Sequence, residues 1–484
     1  MSIRSYRPEL HITAESGVLE APAGVLLDGD TWHLFYQYRP TPDSPSRWAH
    51  VISEDGPFDW EVCEDAIAPT DQELELRAGS VVSAEDGLDL YFTSITSTGA
   101  SIQVAHLADL SSPYLLSEDE LAVDPRVSRV GEVVNDQAGH IRFRSPCVVP
   151  DWESPDNRDA GYDGWLMLAV TGPSGQPSPM VLSSDNGRDW DLVGPLTYEG
   201  DPGFEAASIV VGPRLIHLRD EVDEQIYDVL LVTLETSGLD VSGYLVGTLT
   251  GATFKVRTGF NRIDYGHDFT RPRNTNVTPD TINVEQHHRH ATLFGLLNGI
   301  GRLDSPDQHL SFRTEGWSNI LSLPRVATLQ GGLLFQTPPA GLPEAITRTQ
   351  GACSWTGLCE VDDGSRLTAE IIDGTGQIGA VITHSGTHLN LDRSMNPHHA
   401  GDLASSVKLV EADTDSLSIF VDGSAVEVFA DGGAVTMASR VYLESGCREI
   451  RVTTTGNAEV IRSWERKPLS SAGLPDFGEP SPDE

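Results

Sequence analysis

Short apolar runs with two-residue alternation recur through the first two-thirds of this chain, each bounded by Gly, Pro, Asp or Ser. TWHLFYQY (31–38), LDLYFTSI (88–95), GWLMLAV (164–170) and YDVLLVTLE (227–235) are the clearest. Side chains on a strand alternate between faces, so runs of this length and composition make strands joined by turns. Helical spacing is scarce, and the 46 Gly and 30 Pro between the runs fit an all-β, turn-rich chain. Such a series closes as a propeller or folds as a sandwich or barrel, and periodicity alone does not choose. At 484 residues, two domains are expected.

Charge and composition exclude several partners. A formal net charge of −40 repels nucleic acid and anionic membrane surfaces, so neither is an expected partner. It also works against strongly anionic substrates unless a local basic pocket offsets the field. Lys occurs only at Lys255, Lys408 and Lys467, which leaves Arg as the working cation. The chain has no apolar run of membrane-spanning length, and its N-terminus lacks a signal-peptide core, so a cytoplasmic location is expected. Five cysteines without an export signal make no disulfide framework. Cys353 and Cys359 are spaced to pair across a turn, but buried free thiols are the expected state. The run His287, His288, His290 and the pair His398, His399 lack a supporting carboxylate or Cys cluster. No metal site and no cofactor are expected.

Six segments carry a more specific signal: GVLEAPAG (17–24), HLFYQY (33–38), FRSP (143–146), DYGHDF (264–269), SLPR (322–325) and FVDGSAVEVFADGG (420–433). Together they resemble glycoside hydrolase family 32, the invertases, levanases and inulinases, which read GWMNDPNG, HLFYQYNP, FRDP and FVDRSSVEVFVNDG. The resemblance implies a five-bladed β-propeller with its site in a central funnel, followed by a C-terminal β-sandwich. It places the propeller at 1–325, a linker containing PPAGLP at 326–345, the sandwich at 346–467 and a polar, Pro-rich tail at 468–484. Alternation in SIFVD and VEVFA reads as a half-buried hairpin turning at Gly423-Ser424.

Retaining glycoside hydrolysis needs a nucleophilic carboxylate and an acid/base carboxyl about 5–5.5 Å apart. The family adds a third carboxylate that stabilises the transition state. Its motifs for these are NDPNG, RDP and EC. Here Ala21 stands at the nucleophile position and Ser145 at the stabiliser position. Neither side chain carries an anionic oxygen. Glu20 is the nearest substitute nucleophile, although neighbours on an extended strand face opposite ways and a bulge is needed to re-aim it. Glu205, in FEAA (204–207), aligns with the acid/base residue. Arg144 keeps a guanidinium able to hold vicinal hydroxyls. Gln37, Trp48, Ser80 and Asp264 match sugar-contacting positions, while Thr270-Arg271-Pro272-Arg273 departs from the family's YAPQ.

Substitutions gather at the funnel floor and the scaffold motifs persist, a pattern of a site remade or retired on a retained fold. The expected function is sugar or glycoside binding with lost or weakened hydrolysis. A glycosidase acting on sucrose- or fructan-like substrates through Glu20 and Glu205 is the second reading, and an assembly role the third.

Overall fold

The computed structural model describes residues 5–54, 56–110, 121–137, 139–152, 162–173, 176–236, 239–279, 281–283, 286–298, 305–410 and 415–469. The alternating runs become the strands of five antiparallel blades. Blade 1 holds Gly17–Asp28, Thr31–Arg39, Arg47–Ser53 and Glu61–Val62, and blade 2 holds Glu73–Ala84, Gly87–Thr96, Ala100–Ala108 and Val127–Val134. Blade 3 comprises Arg144–Trp152, Tyr162–Thr171, Ser178–Ser184 and Asp191–Pro195; blade 4 comprises Ile209–Arg219, Ile226–Thr236, Leu239–Thr250 and Thr253–Arg262. Blade 5 is Phe269–Val277, Ala291–Leu297, Arg325–Gln330 and Leu333–Thr337. The first strand of each blade lies innermost. Blades 5 and 1 are stitched by parallel pairing of their inner strands, Val25 opposite Thr275 through Leu27 opposite Val277. That pairing joins the last blade to the first and so closes the ring.

Each gap between blades holds its own apolar cluster. Phe35, Leu76 and Phe92 fill the gap between blades 1 and 2, and Val82, Phe143 and Met167 that between blades 2 and 3. Leu168, Leu230 and Phe254 join blades 3 and 4, Leu231 and Leu293 join 4 and 5, and Leu34, Phe294 and Leu296 join 5 and 1. Each fully buried Leu or Phe stabilises the ring by about 1.5–3 kcal/mol.

A sandwich of two five-stranded sheets follows. One is built on Cys353–Glu360 and Asp415–Asp422, the other on Arg366–Asp373 and Ile378–His384. Leu367, Ile382, Leu391, Ile419 and Val428 pack between them. Asp422 opposes Ala425 across Gly423-Ser424, the two-residue turn expected from the alternation. Cys353 and Cys359 lie on one strand and are both buried, and the Cys353 thiol adjoins Cys447 instead.

The expected linker at 326–345 starts too early. Residues 325–337 form the outer hairpin of blade 5, because RVATLQ and LLFQT alternate buried and half-buried positions as a paired strand does. The crossing to the sandwich is made by the following turn and the short helix Leu342–Arg348.

The retained motifs meet at the seam between the domains. Arg325 of SLPR is fully buried; its Nη2 lies 2.9 Å from Asp264 of DYGHDF and 2.7 Å from Glu427 of VEVF. Arg393 lies 2.6 Å from Asp268, and His11 bridges Asp422 at 2.8 Å and Glu427 at 3.2 Å. Gly266 is required there, since a Cβ would stand 2.1 Å from the carbonyl oxygen of Ala438. Buried ion pairs add little net stability against apolar packing, but removing one partner strands the other. They fix how the two domains dock.

Candidate functional site

The inner strands bear a common irregularity near their N-terminal ends. In four blades, two residues bulge where the partner strand has one fewer: Ala78-Gly79, Ser145-Pro146, Gly212-Pro213 and Arg271-Pro272. Blade 1 has two one-residue bulges, at Glu20 and at Ala23. A bulge bends the strand and re-aims side chains. Here the bulges turn Glu20, Ala21, Ala78, Ser145, Gly212 and Arg271 into one axial cavity of about 720 Å³. Proline suits these places because a bulged residue forfeits its ladder hydrogen bond anyway. Gly79 is needed for close approach, as a Cβ would fall 1.9 Å from the Tyr91 carbonyl oxygen. Arg142, Ser145 and Arg271 hold positive φ of 59°, 57° and 51°, a conformation that costs non-glycine residues about 1–3 kcal/mol each. A second cavity, of about 910 Å³, lies at the opposite ends of the inner strands among Trp32, Trp165, His217 and His288. The sequence motifs point to the first.

The structure brings together Glu20, Ala21, Gln37, Arg144 and Ser145 at the cavity. The bulge between Leu19 and Ala21 supplies the re-aiming that Glu20 needs. Its carboxylate accepts from Gln37 Nε2 at 2.5 Å and pairs with Arg39 Nε at 2.8 Å. Gln37 in turn accepts from the Ala78 amide at 2.7 Å, so its buried side-chain amide is fixed and orients Glu20. Arg144 Nη1 donates to the carbonyls of Gly172 at 2.8 Å and Arg142 at 3.2 Å. The Ser145 amide donates to Thr93 Oγ1 at 2.9 Å, and its carbonyl accepts from Arg214 Nη1 at 2.9 Å.

Four expected site residues lie elsewhere. Trp48 is fully buried between blades 1 and 2, edge-on to Phe92 at 6.2 Å, and fills core. Ser80 sits past the Ala78-Gly79 bulge, where its hydroxyl donates to Val148 at 3.3 Å between blades. Asp264 belongs to the domain seam with Arg325. Glu205 is exposed on a turn before the inner strand of blade 4 and does not line the cavity. The register explains the last difference. Val211-Gly212-Pro213 occupies in blade 4 the place of Arg144-Ser145-Pro146 in blade 3, with the proline at the same bulge position. Val211 and Gly212 therefore line the cavity in blade 4, and Glu205 does not.

Sequence reasoning missed Arg39, Arg77, Arg142, Arg271, Arg273, Glu75, Glu235 and Asp240, all of which line the cavity. The recurring X-Pro at Ala21-Pro22, Ser145-Pro146, Gly212-Pro213 and Arg271-Pro272 was the available signal for the inner positions. Arg77 Nε pairs with Glu75 at 3.0 Å. Arg271 Nη1 donates to the Glu20 carbonyl at 2.7 Å, and its Nη2 lies 3.8 Å from Asp240. Burial and then Asp240 push the Glu235 carboxyl above its ordinary range, against the pull of Arg144 and Arg271. Burial also lowers the guanidinium pKa of Arg144, with Arg77 adding to it. Among the described residues no group of three or more His, Cys, Asp or Glu is placed to hold a metal. Among the described residues no helix is long and apolar enough to cross a membrane.

The signature described as "Glycosyl hydrolases family 32 N-terminal domain" matches residues 11–338, and "Glycosyl hydrolases family 32 C terminal" matches 372–466. The chain is 26% identical to a sucrose-6-phosphate hydrolase of Bacillus subtilis (strain 168), over 94% of this chain and 93% of that one. A levanase of the same organism is 26% identical over 69% of this chain and 47% of its own length. Among solved structures, a β-fructofuranosidase from Schwanniomyces occidentalis complexed with fructosyl-erythritol superposes with TM-score 0.73 at 19% identity, covering 96% of this chain and 98% of that one. A sucrose-6-phosphate hydrolase from Lactobacillus gasseri gives 0.73 at 18% identity over 96% and 93%. With a propeller and a sandwich each matched by its own signature, this chain belongs to glycosyl hydrolases family 32.

Proposed function

We propose that this protein binds a carbohydrate in the propeller funnel and that hydrolysis of β-fructosides is lost or strongly weakened. One observation carries the reading. With Val211-Gly212-Pro213 taken as the counterpart of the family's EC-Pro motif by the shared bulge register, the side chains at the three motif places are a methyl (Ala21), a hydroxymethyl (Ser145) and an isopropyl group (Val211). None forms a bond to an anomeric carbon as a carboxylate does, protonates a leaving oxygen as a carboxylic acid does, or balances an oxocarbenium charge. Groups suited to binding line the cavity, among them Gln37, Arg144 and the hydroxyl-bearing Thr233. Sucrose and a β-fructoside oligosaccharide, incubated with the full chain, are expected to yield no fructose above the uncatalysed rate. Turnover at a rate normal for enzymes, about 1–1,000 per second, refutes the proposal.

A second reading, relocated catalysis, has one specific observation in its favour. Glu20 faces the cavity and Glu235 lines it with a raised pKa, the pairing of a nucleophile or base with an acid. It predicts turnover that Glu20→Gln and Glu235→Gln each abolish. The Glu20–Arg39 ion pair weighs against it, because a carboxylate held by a guanidinium is a poor nucleophile.

A further inference from the structure

We infer that the carbohydrate taken by the funnel is anionic, its carboxylate, phosphate or sulfate group held by Arg273, Arg271 and Arg144. The inference rests on the carbohydrate-binding reading and adds the charge class of the ligand.

The cavity carries six arginines, Arg39, Arg77, Arg142, Arg144, Arg271 and Arg273, against four carboxylates. That local excess of positive charge sits in a chain of net charge −40, whose overall field repels anions. The excess is not spread evenly. On the side formed by blades 1 and 2, Arg39 pairs with Glu20 at 2.8 Å and Arg77 with Glu75 at 3.0 Å. Across the cavity Arg144 and Arg273 are poorly balanced. Arg144 donates to two backbone carbonyls and, among the described residues, forms no ion pair. Arg271 Nη2 lies 3.8 Å from Asp240.

Arg273 is the decisive residue. It lines the cavity at 8% exposure, donates Nη1 to the Pro272 carbonyl at 3.1 Å, and leaves Nε unbonded. Arg214 lies behind it, 1% exposed, with Nε and Nη2 unbonded. Burial first, then the charges of Arg214 and Arg271, push the Arg273 guanidinium well below its ordinary pKa. Burying a cation without a counter-charge costs several kcal/mol unless a partner is supplied. Among the described residues no carboxylate supplies it. An oxyanion entering the funnel meets a planar donor fork already in place, the geometry arginine uses to hold carboxylates and phosphates. A cavity of about 720 Å³ exceeds a bare phosphate several-fold and leaves room for the sugar bearing it.

Calorimetric titration of the full chain tests this with fructose, sucrose, fructose 6-phosphate, glucuronate, glucose 6-sulfate and inorganic phosphate as probes. At least one anionic sugar is expected to bind about tenfold or more tighter than the neutral sugars, with affinity falling as salt rises. Whichever of phosphate, carboxylate or sulfate leads identifies the natural group. Arg273→Gln should bring the anionic-to-neutral affinity ratio close to one, and Arg273→Lys should restore part of it. Arg144→Gln, half-buried and free of the folding risk at Arg273, should lower the same ratio. Neutral sugars binding as tightly as anionic ones, or a ratio unchanged in both Gln variants, overturns the charge assignment while sparing the carbohydrate reading. Inorganic phosphate binding as tightly as the best sugar, or no sugar of either kind binding, overturns the carbohydrate reading itself.

Discussion

His11→Gln probes an imidazole clamped between two buried carboxylates at the seam of propeller and sandwich. Nδ1 lies 2.8 Å from Asp422 and Nε2 3.2 Å from Glu427. Glu427 also pairs with Arg325, and Asp422 accepts the backbone amides of Glu9, Leu10 and His11. Burial by itself depresses the imidazole pKa; the hydrogen bonds to Asp422 and Glu427 outweigh it and raise the value from 6.5 to about 9. The native state therefore holds this proton more tightly than the unfolded chain. The stabilisation is complete below about pH 6.5 and disappears as pH rises through about 9. The gap between 6.5 and about 9 corresponds to about 3 kcal/mol. Urea unfolding followed by tryptophan fluorescence, from about pH 6 to about pH 10, measures it in wild type and His11→Gln. Glutamine keeps hydrogen-bonding groups but has no proton to lose in this range. The stability difference between the two proteins should shrink by about 3 kcal/mol as pH rises across the window. Parallel curves would refute the clamp as the source of alkaline sensitivity.

Two further outcomes follow from the seam and the core. Arg393→Met leaves Asp268 buried without its guanidinium partner at 2.6 Å, and should cost about 3–5 kcal/mol of unfolding free energy by the same urea assay. A loss under about 1 kcal/mol would mean that backbone donors such as the Arg440 amide, 2.7 Å away, suffice for that carboxylate. Trp48→Ala removes a fully buried indole from the gap between blades 1 and 2, and should cost about 3–5 kcal/mol without changing the sugar selectivity of the folded fraction. A selectivity change at unaltered stability would return Trp48 to the cavity.

The fold was largely legible because strand alternation and turn residues are local properties. Runs such as TWHLFYQY and YDVLLVTLE state their own conformation, and the two-residue turn at Gly423-Ser424 follows from the alternation on either side. Number and closure of blades came from motif resemblance, since periodicity does not count blades. That Ala21 and Ser145 carry no carboxyl was equally legible, because side-chain chemistry is written in the sequence itself.

Where each side chain points was decided by register, which is a tertiary quantity. One extra residue at Glu20 turns an outward carboxylate inward, and the shared bulge frame puts Val211 on the cavity wall while Glu205 stays outside it. DYGHDF and SLPR looked like separate motifs until Asp264 and Arg325 met at 2.9 Å across the domain seam. The basic character of the funnel was hidden in the same way. Arg39, Arg144 and Arg273 are far apart in an acidic sequence, and only closure of the ring puts them around one cavity, where their charges add.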